Sequence, residues 1–199
     1  MGLKIQYPLS GETPECTCID TVTIDGCEYR VNASFDKLLR VFDLLDDKNV
    51  PELIKADVGI RVLVQDNLSE LDAIEKSELL KKIIEYYSGI NDVEPDTDLQ
   101  GNPLPKRDIK ETYRINHDGD LIYSAFVQAY KIDLFEQQGK LHFKKFAALL
   151  KGLPEDTQFS KVCGIRCYKK PGKKDTYDKQ MLKLQEIYRL PDGEEVQHG

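Results

Sequence analysis

Residues 118–166, DGDLIYSAFVQAYKIDLFEQQGKLHFKKFAALLKGLPEDTQFSKVCGIR, constrain the fold more than any other part of the chain. Apolar residues recur there at helical spacing, in three runs separated by short breaks. Ile122, Ala125, Phe126 and Ala129 line one side of the first run. Asp118 or Asp120 caps it and sets negative charge at the positive end of the helix dipole. A Lys-Ile-Asp-Leu turn and Gly139 lead to the second run, which carries Leu141, Phe143, Phe146, Ala147, Leu149 and Leu150 and stops at Gly152 and Pro154. Thr157 caps the third, with Phe159, Val162 and Cys163 inward. Three helices in a row with apolar faces and no catalytic grouping predict packing and assembly.

The remaining sequence completes a mainly α chain, a bundle of about six helices with an N-terminal β-hairpin. Residues 1–33 read as the hairpin region. Residues 17–24 alternate, with Cys18, Asp20, Val22 and Ile24 on one face, and Asp25-Gly26 joins them to a second strand at 27–31, because a type I′ turn needs positive φ at both central positions. Residues 34–90 read as an N-terminal helical part. Ser34 or Asn32 caps a stripe of Phe35, Leu38, Leu39, Phe42 and Leu45. Pro51 then opens a second helix with Leu53, Ile54, Val58, Val62 and Gln65 roughly on one side. Its β-branched stretch at 58–64, broken by Gly59, also allows a strand. Ser69 with Asp72 resembles a capping box before a helix near 77–88, with Leu80, Ile83, Ile84 and Tyr87 inward and Gly89 as its end. Residues 91–117 are polar, carry Pro95, Pro103 and Pro105, and read as a linker. Residues 118–190 form a C-terminal helical part. After a turn at 169–172, Asp175 caps its last helix, with a stripe of Tyr177, Met181, Leu184 and Tyr188. Residues 191–199 read as a disordered tail.

Charge is unevenly spread. Residues 1–100 hold 10 Lys+Arg against 21 Asp+Glu, and residues 101–199 hold 18 against 14. This suits self-association or an acidic partner, and equally a solvated lysine-rich tail. No window approaches ~18 apolar residues, so no membrane span is expected. The first residues lack an apolar signal core, and Gln6 stands where a myristoylation motif wants Ser or Thr. Five cysteines, Cys16, Cys18, Cys27, Cys163 and Cys167, favour reduced thiols over a disulfide framework or a zinc site.

Chemistry finds little support. His117 beside Asp118 and Asp120 is the nearest thing to an acid–base cluster, but polar residues before a helix more often cap it. His142 reads as a partly buried packing residue, and His198 lies in the tail. No glycine-rich phosphate loop occurs. No catalytic residue, metal or cofactor is expected. Lys169, Lys170, Lys173 and Lys174, beside Tyr168 and Tyr177, could touch nucleic acid, against an overall pI near 5.1.

Residues 118–166 resemble the bacteriophage gene-product-fifteen family of Gram-positive siphophages. The matching pieces are DGDLIYSAFVQAYKIDL at 118–134, LHFKKFAALLKGLPEDT at 141–157 and FSKVCGIR at 159–166. KLQEIYRLP at 183–191, and the hairpin followed by SFDKLLRVFDLLDD at 34–47, fit as well. One departure stands out: the family often has a tryptophan-containing aromatic pair after Leu-His, whereas this chain has Phe143-Lys144 and no tryptophan. The resemblance implies a non-enzymatic role in tail morphogenesis, in the host cytoplasm. In such phages the gene lies between those of the tail proteins and the tape measure protein. That position implies a chaperone coating the tape measure protein until tail-tube subunits polymerise, with self-association along it. A minor tail component retained in the virion is the alternative reading; a small enzyme or nucleic-acid-binding module is the third. Exposed lysines, Lys144 with Lys169, Lys170, Lys173 and Lys174, are the expected partner contacts.

Overall fold

Asp25 and Gly26 both sit in the left-handed region, at φ 51° and 82°, as the two-residue hairpin requires. They join β1 (Ile19–Ile24) to β2 (Cys27–Asn32) in antiparallel register, Ile24 opposite Cys27 and Ile19 opposite Asn32. Seven helices follow in the computed structural model, which describes residues 18–88, 112–169 and 176–191. They are α1 (Phe35–Asp46), α2 (Glu52–Leu63), α3 (Ala73–Ser88), α4 (Gly119–Tyr130), α5 (Phe143–Lys151), α6 (Gln158–Cys167) and α7 (Thr176–Ile187). The mainly α fold with an N-terminal hairpin is as expected, with one helix more than the count of about six.

The second helix forms as read: it runs to Leu63, so the helical reading of its β-branched stretch holds over the strand that stretch also allowed. Which face goes in was not fixed by the sequence. Lys55, Ala56, Gly59, Ile60 and Leu63 are buried, while Leu53, Ile54 and Val58 point outward. Gly59 explains the choice: a Cβ there would stand 2.7 Å from Leu80 Cδ2. The missing side chain lets α2 and α3 approach closely, and that contact fixes which face goes in. Lys55 survives burial because its ammonium donates to Leu45 O (2.8 Å) and pairs with Glu52 (2.7 Å).

The capping box of α3 lies three residues beyond the Ser69–Asp72 reading. Asp72 Oδ1 accepts from the Ile74 and Glu75 amides, each at 2.8 Å, and Glu75 Oε2 accepts from the Asp72 amide at 2.8 Å. Asp72 is thus the cap and Glu75 its reciprocal partner, which starts the helix at Ala73. At α1, Asn32 accepts from the Ser34 amide (3.2 Å), and the buried Ser34 hydroxyl makes no cap bond. Val41 joins Phe35 and Leu38 in the core, while Leu39, Phe42 and Leu45 are half-buried. Thr157 caps α6, accepting from the Ser160 amide.

One core unites the helices before and after the 91–117 segment. Phe146 of α5 stacks on Phe35 of α1 (centroids 5.0 Å apart) and on Phe126 of α4 (5.4 Å). The backbone is spliced at the same place: Phe35 N donates to Leu141 O (3.0 Å) and Phe143 N to Ala33 O (2.7 Å). Residues 112–117 belong to this body as well. Tyr113 and Ile115 pack against the core, and the Tyr113 ring meets Phe159 edge-on at 5.4 Å. The rest of the expected linker, 91–111, lies outside the described residues. So do Cys16, Gly89, Lys170, Pro171, Gly172, Asp175, His198 and the tail beyond Pro191. Among the described residues no helix is long and apolar enough to cross a membrane.

Candidate functional site

Asp118 stands before α4 but does not cap it. Its carboxylate turns inward and takes both arms of Arg166 from α6, Nη1 to Oδ2 at 2.6 Å and Nη2 to Oδ1 at 2.8 Å. The pair is buried, with side-chain exposures of 1% and 4%. The Arg114 amide (3.0 Å) and His117 Nδ1 (2.9 Å) complete the carboxylate's partners. Arg166 also donates to Thr112 O (3.0 Å) and, through Nε, to Tyr188 O (2.6 Å). One guanidinium therefore ties the 112–118 segment, α4, α6 and the end of α7 together. Burial alone would raise the Asp118 carboxyl; Arg166, His117 and the Arg114 amide outweigh it and hold the group below the usual carboxylate range. His117 thus contributes to a structural ion pair, with its own ring partly exposed.

A second cluster joins the hairpin to α3 and α5. His142 is the N-cap of α5: its Nδ1 accepts from the Lys144 amide at 3.1 Å. That bond puts the ring proton on Nε2, which donates to Asp20 at 3.0 Å. Tyr87 donates to the same carboxylate at 2.8 Å. Burial opposes the Asp20 charge, yet the His142 and Tyr87 bonds lower its pKa. Burial and Asp20 together push the Tyr87 hydroxyl well above its ordinary value. His142, expected to be a packing residue, is thus a cap and a cross-link between β1 and α5. Its signal in the sequence was its place immediately before the apolar run.

Both carboxylates predict a pH dependence of known sign. A carboxyl lowered in the folded state adds stability above its unfolded value, and that stability is lost as pH falls through the folded value. Asp43, raised by burial with Asp46 adding to it, works the other way and gains as acid protonates it. Asp66, at the surface, is also lowered by its hydrogen bonds from Arg30, and with three lowered carboxyls against one raised, urea unfolding is expected to show similar stability at pH 7 and 5 and a steep loss below about pH 4. In Asp118→Asn that acid loss should be shallower; an unchanged profile would contradict the assignment.

The lysines divide. Lys144 is half-buried, its ammonium 3.1 Å from the Tyr86 hydroxyl and 4.7 Å above the Tyr86 ring, so it packs on α3 instead of standing free. Lys169 is exposed. Lys170, Lys173 and Lys174 lie outside the described residues. Of the thiols, Cys18 is buried, Cys163 half-buried and pushed up to about 11 by burial, and Cys27 and Cys167 exposed. Among the described residues no group of three or more His, Cys, Asp or Glu side chains is placed to hold a metal ion.

The surface feature that periodicity missed is the outer face of α2. Leu53, Ile54 and Val58 are 59%, 52% and 38% exposed. Among them lie Asp57 and Arg61, which pair with each other at 2.8 Å, while Asp57 also takes Lys76 at 3.0 Å. The charges on this face are thus neutralised locally, leaving apolar side chains as its free binding capacity. A family model described as Bacteriophage Gp15 protein matches residues 17–190. No curated protein and no solved structure matches the chain.

Proposed function

The chain belongs to the bacteriophage Gp15 protein family, and from that premise we propose that it is a non-enzymatic tail assembly chaperone that binds the tape measure protein in the host cytoplasm. The observation that carries this reading is the outward apolar face of α2. A tape measure protein is a long amphipathic helix whose apolar stripe needs cover before the tube forms around it. A surface helix offering Leu53, Ile54 and Val58 can meet anchors at i, i+3, i+4 and i+7 of such a stripe. The site acts by burying apolar area, and the paired Asp57 and Arg61 need not be desolvated alone. The exposed Lys169, with Lys170, Lys173 and Lys174, adds electrostatic attraction to acidic stretches of the same partner or of the tail-tube protein.

Co-expression tests it. With the native chain the tape measure protein should stay soluble and co-purify. Leu53→Ala, Ile54→Ala and Val58→Ala combined remove the apolar area while keeping good helix formers at exposed positions. Capture is expected to fall about tenfold or more, the effect of losing at least one interface anchor. Unchanged capture would sink this face as the binding site, and a tape measure protein that is insoluble with the native chain would sink the chaperone reading. Mass spectrometry of purified virions separates the chaperone from a minor tail component, which would be present in stoichiometric amounts.

A further inference from the structure

Among the described residues the hairpin has one open edge. Its two-residue turn makes Ile24 and Cys27 a hydrogen-bonded pair, so Val22 with Tyr29 and Asp20 with Val31 follow in the same ladder. The amides and carbonyls of Ile19, Thr21 and Thr23 therefore point away from β2, and none has a hydrogen-bond partner among the described residues. The opposite edge is different. On β2, Arg30 O accepts from Gln65 N (2.9 Å), Arg30 N donates to the Asp66 carboxylate (2.6 Å), and Val31 bridges Val64.

An unpaired edge strand normally carries a lysine, a proline or a bulge that discourages further pairing. β1, IDTVTI, has none of these. Its one charge, Asp20, faces the core and is held by His142 and Tyr87. Thr21 and Thr23 are exposed and uncharged. We propose that β1 is a self-association surface: a second copy pairs its own β1 antiparallel about a two-fold axis at Thr21, giving the four-stranded sheet β2-β1-β1′-β2′.

Three features favour a second copy as the occupant. Antiparallel pairing of one strand with itself is self-complementary, as a two-fold interface requires. It sets Thr21 opposite its own equivalent and Ile19 opposite Thr23, so no like charges meet and the threonines form favourable cross-strand pairs. The covered stretch of β2 at Arg30 also stops the sheet from extending there, so association closes as a dimer. Pairing of the three outward residues adds about six backbone hydrogen bonds.

Sedimentation equilibrium of the full chain tests this, with reductant present because Cys27 and Cys167 are exposed. The native chain and Thr21→Val should sediment as dimers. Thr21→Pro removes an amide that β2 does not use, so the edge strand tolerates it while the ladder between copies is blocked. Thr21→Lys places two ammonium groups across the axis and serves even if the proline variant fails to fold. Each is expected to weaken the dimer about 100-fold, the loss of two or three net hydrogen bonds, with unchanged far-ultraviolet circular dichroism. A native chain that stays monomeric at high micromolar concentration overturns the proposal. So does a dimer that persists in folded Thr21→Lys. Loss of tape measure capture in Thr21→Lys while the native chain is monomeric would assign the edge to that partner and also overturn it.

Discussion

Arg166→Leu is expected to lower the unfolding free energy by about 3–5 kcal/mol, the cost of leaving a buried carboxylate without its counter-charge. In a chain of this size that is roughly 10 °C in Tm. The substitution strands Asp118, which is almost fully buried, and releases Thr112 O and Tyr188 O. Two costs are mixed here, and a second variant separates them. Asp118→Asn in the Arg166→Leu background removes the unpaired charge but not the lost carbonyl contacts. Urea titration should find the double variant more stable than Arg166→Leu alone. Equal stability would place the cost in the detachment of α7. Other anchors of that helix and its end among the described residues are Gln185 donating to Ile165 O (2.9 Å) and Tyr168 O (2.8 Å), Tyr168 donating to Asp178 and meeting the Tyr177 ring edge-on, and Arg114 donating to Pro191 O (2.8 Å).

Phe146→Ala should cost a similar amount, about 3–5 kcal/mol, for a different reason. Phe146 is 2% exposed and stacks on Phe35 and Phe126, so truncation opens a cavity where α1, α4 and α5 meet. Because that junction joins the earlier and later helices, the unfolding transition should also broaden, with a smaller denaturant slope. A loss under about 1 kcal/mol, or an unchanged slope with full loss, would show that the two groups of helices couple elsewhere.

How much of this was legible in the sequence depended on whether the signal was local. The hairpin was legible because two residues at the turn decide it. The inward faces of α4, α5 and most of α6 were legible because 3.6-residue periodicity is a property of the run itself. On α2 periodicity found an apolar stripe but could not tell that Gly59, through its approach to Leu80, turns that stripe outward. The Asp118–Arg166 pair spans 48 residues, and nothing beside Asp118 distinguishes an inward carboxylate from a cap. A hint existed at the other end: Arg166 continues the Phe159–Val162 stripe of α6, and a basic residue on an inward face asks for a buried partner. The Asp20–His142 bond, spanning 122 residues, had no local trace.

The splice between the entries to α1 and α5 has a consequence for synthesis. Asp36 accepts from the Gly139 amide across 103 residues, and the hairpin waits still longer for His142. Translation at about 5–20 residues per second leaves the hairpin and α1 outside the ribosome for roughly 5–20 seconds before α5 can close over them. Phe35 and Phe42 lack their α5 partners, Phe146 and Phe143, for that interval. The nascent chain therefore needs cover of its own until α5 has been made.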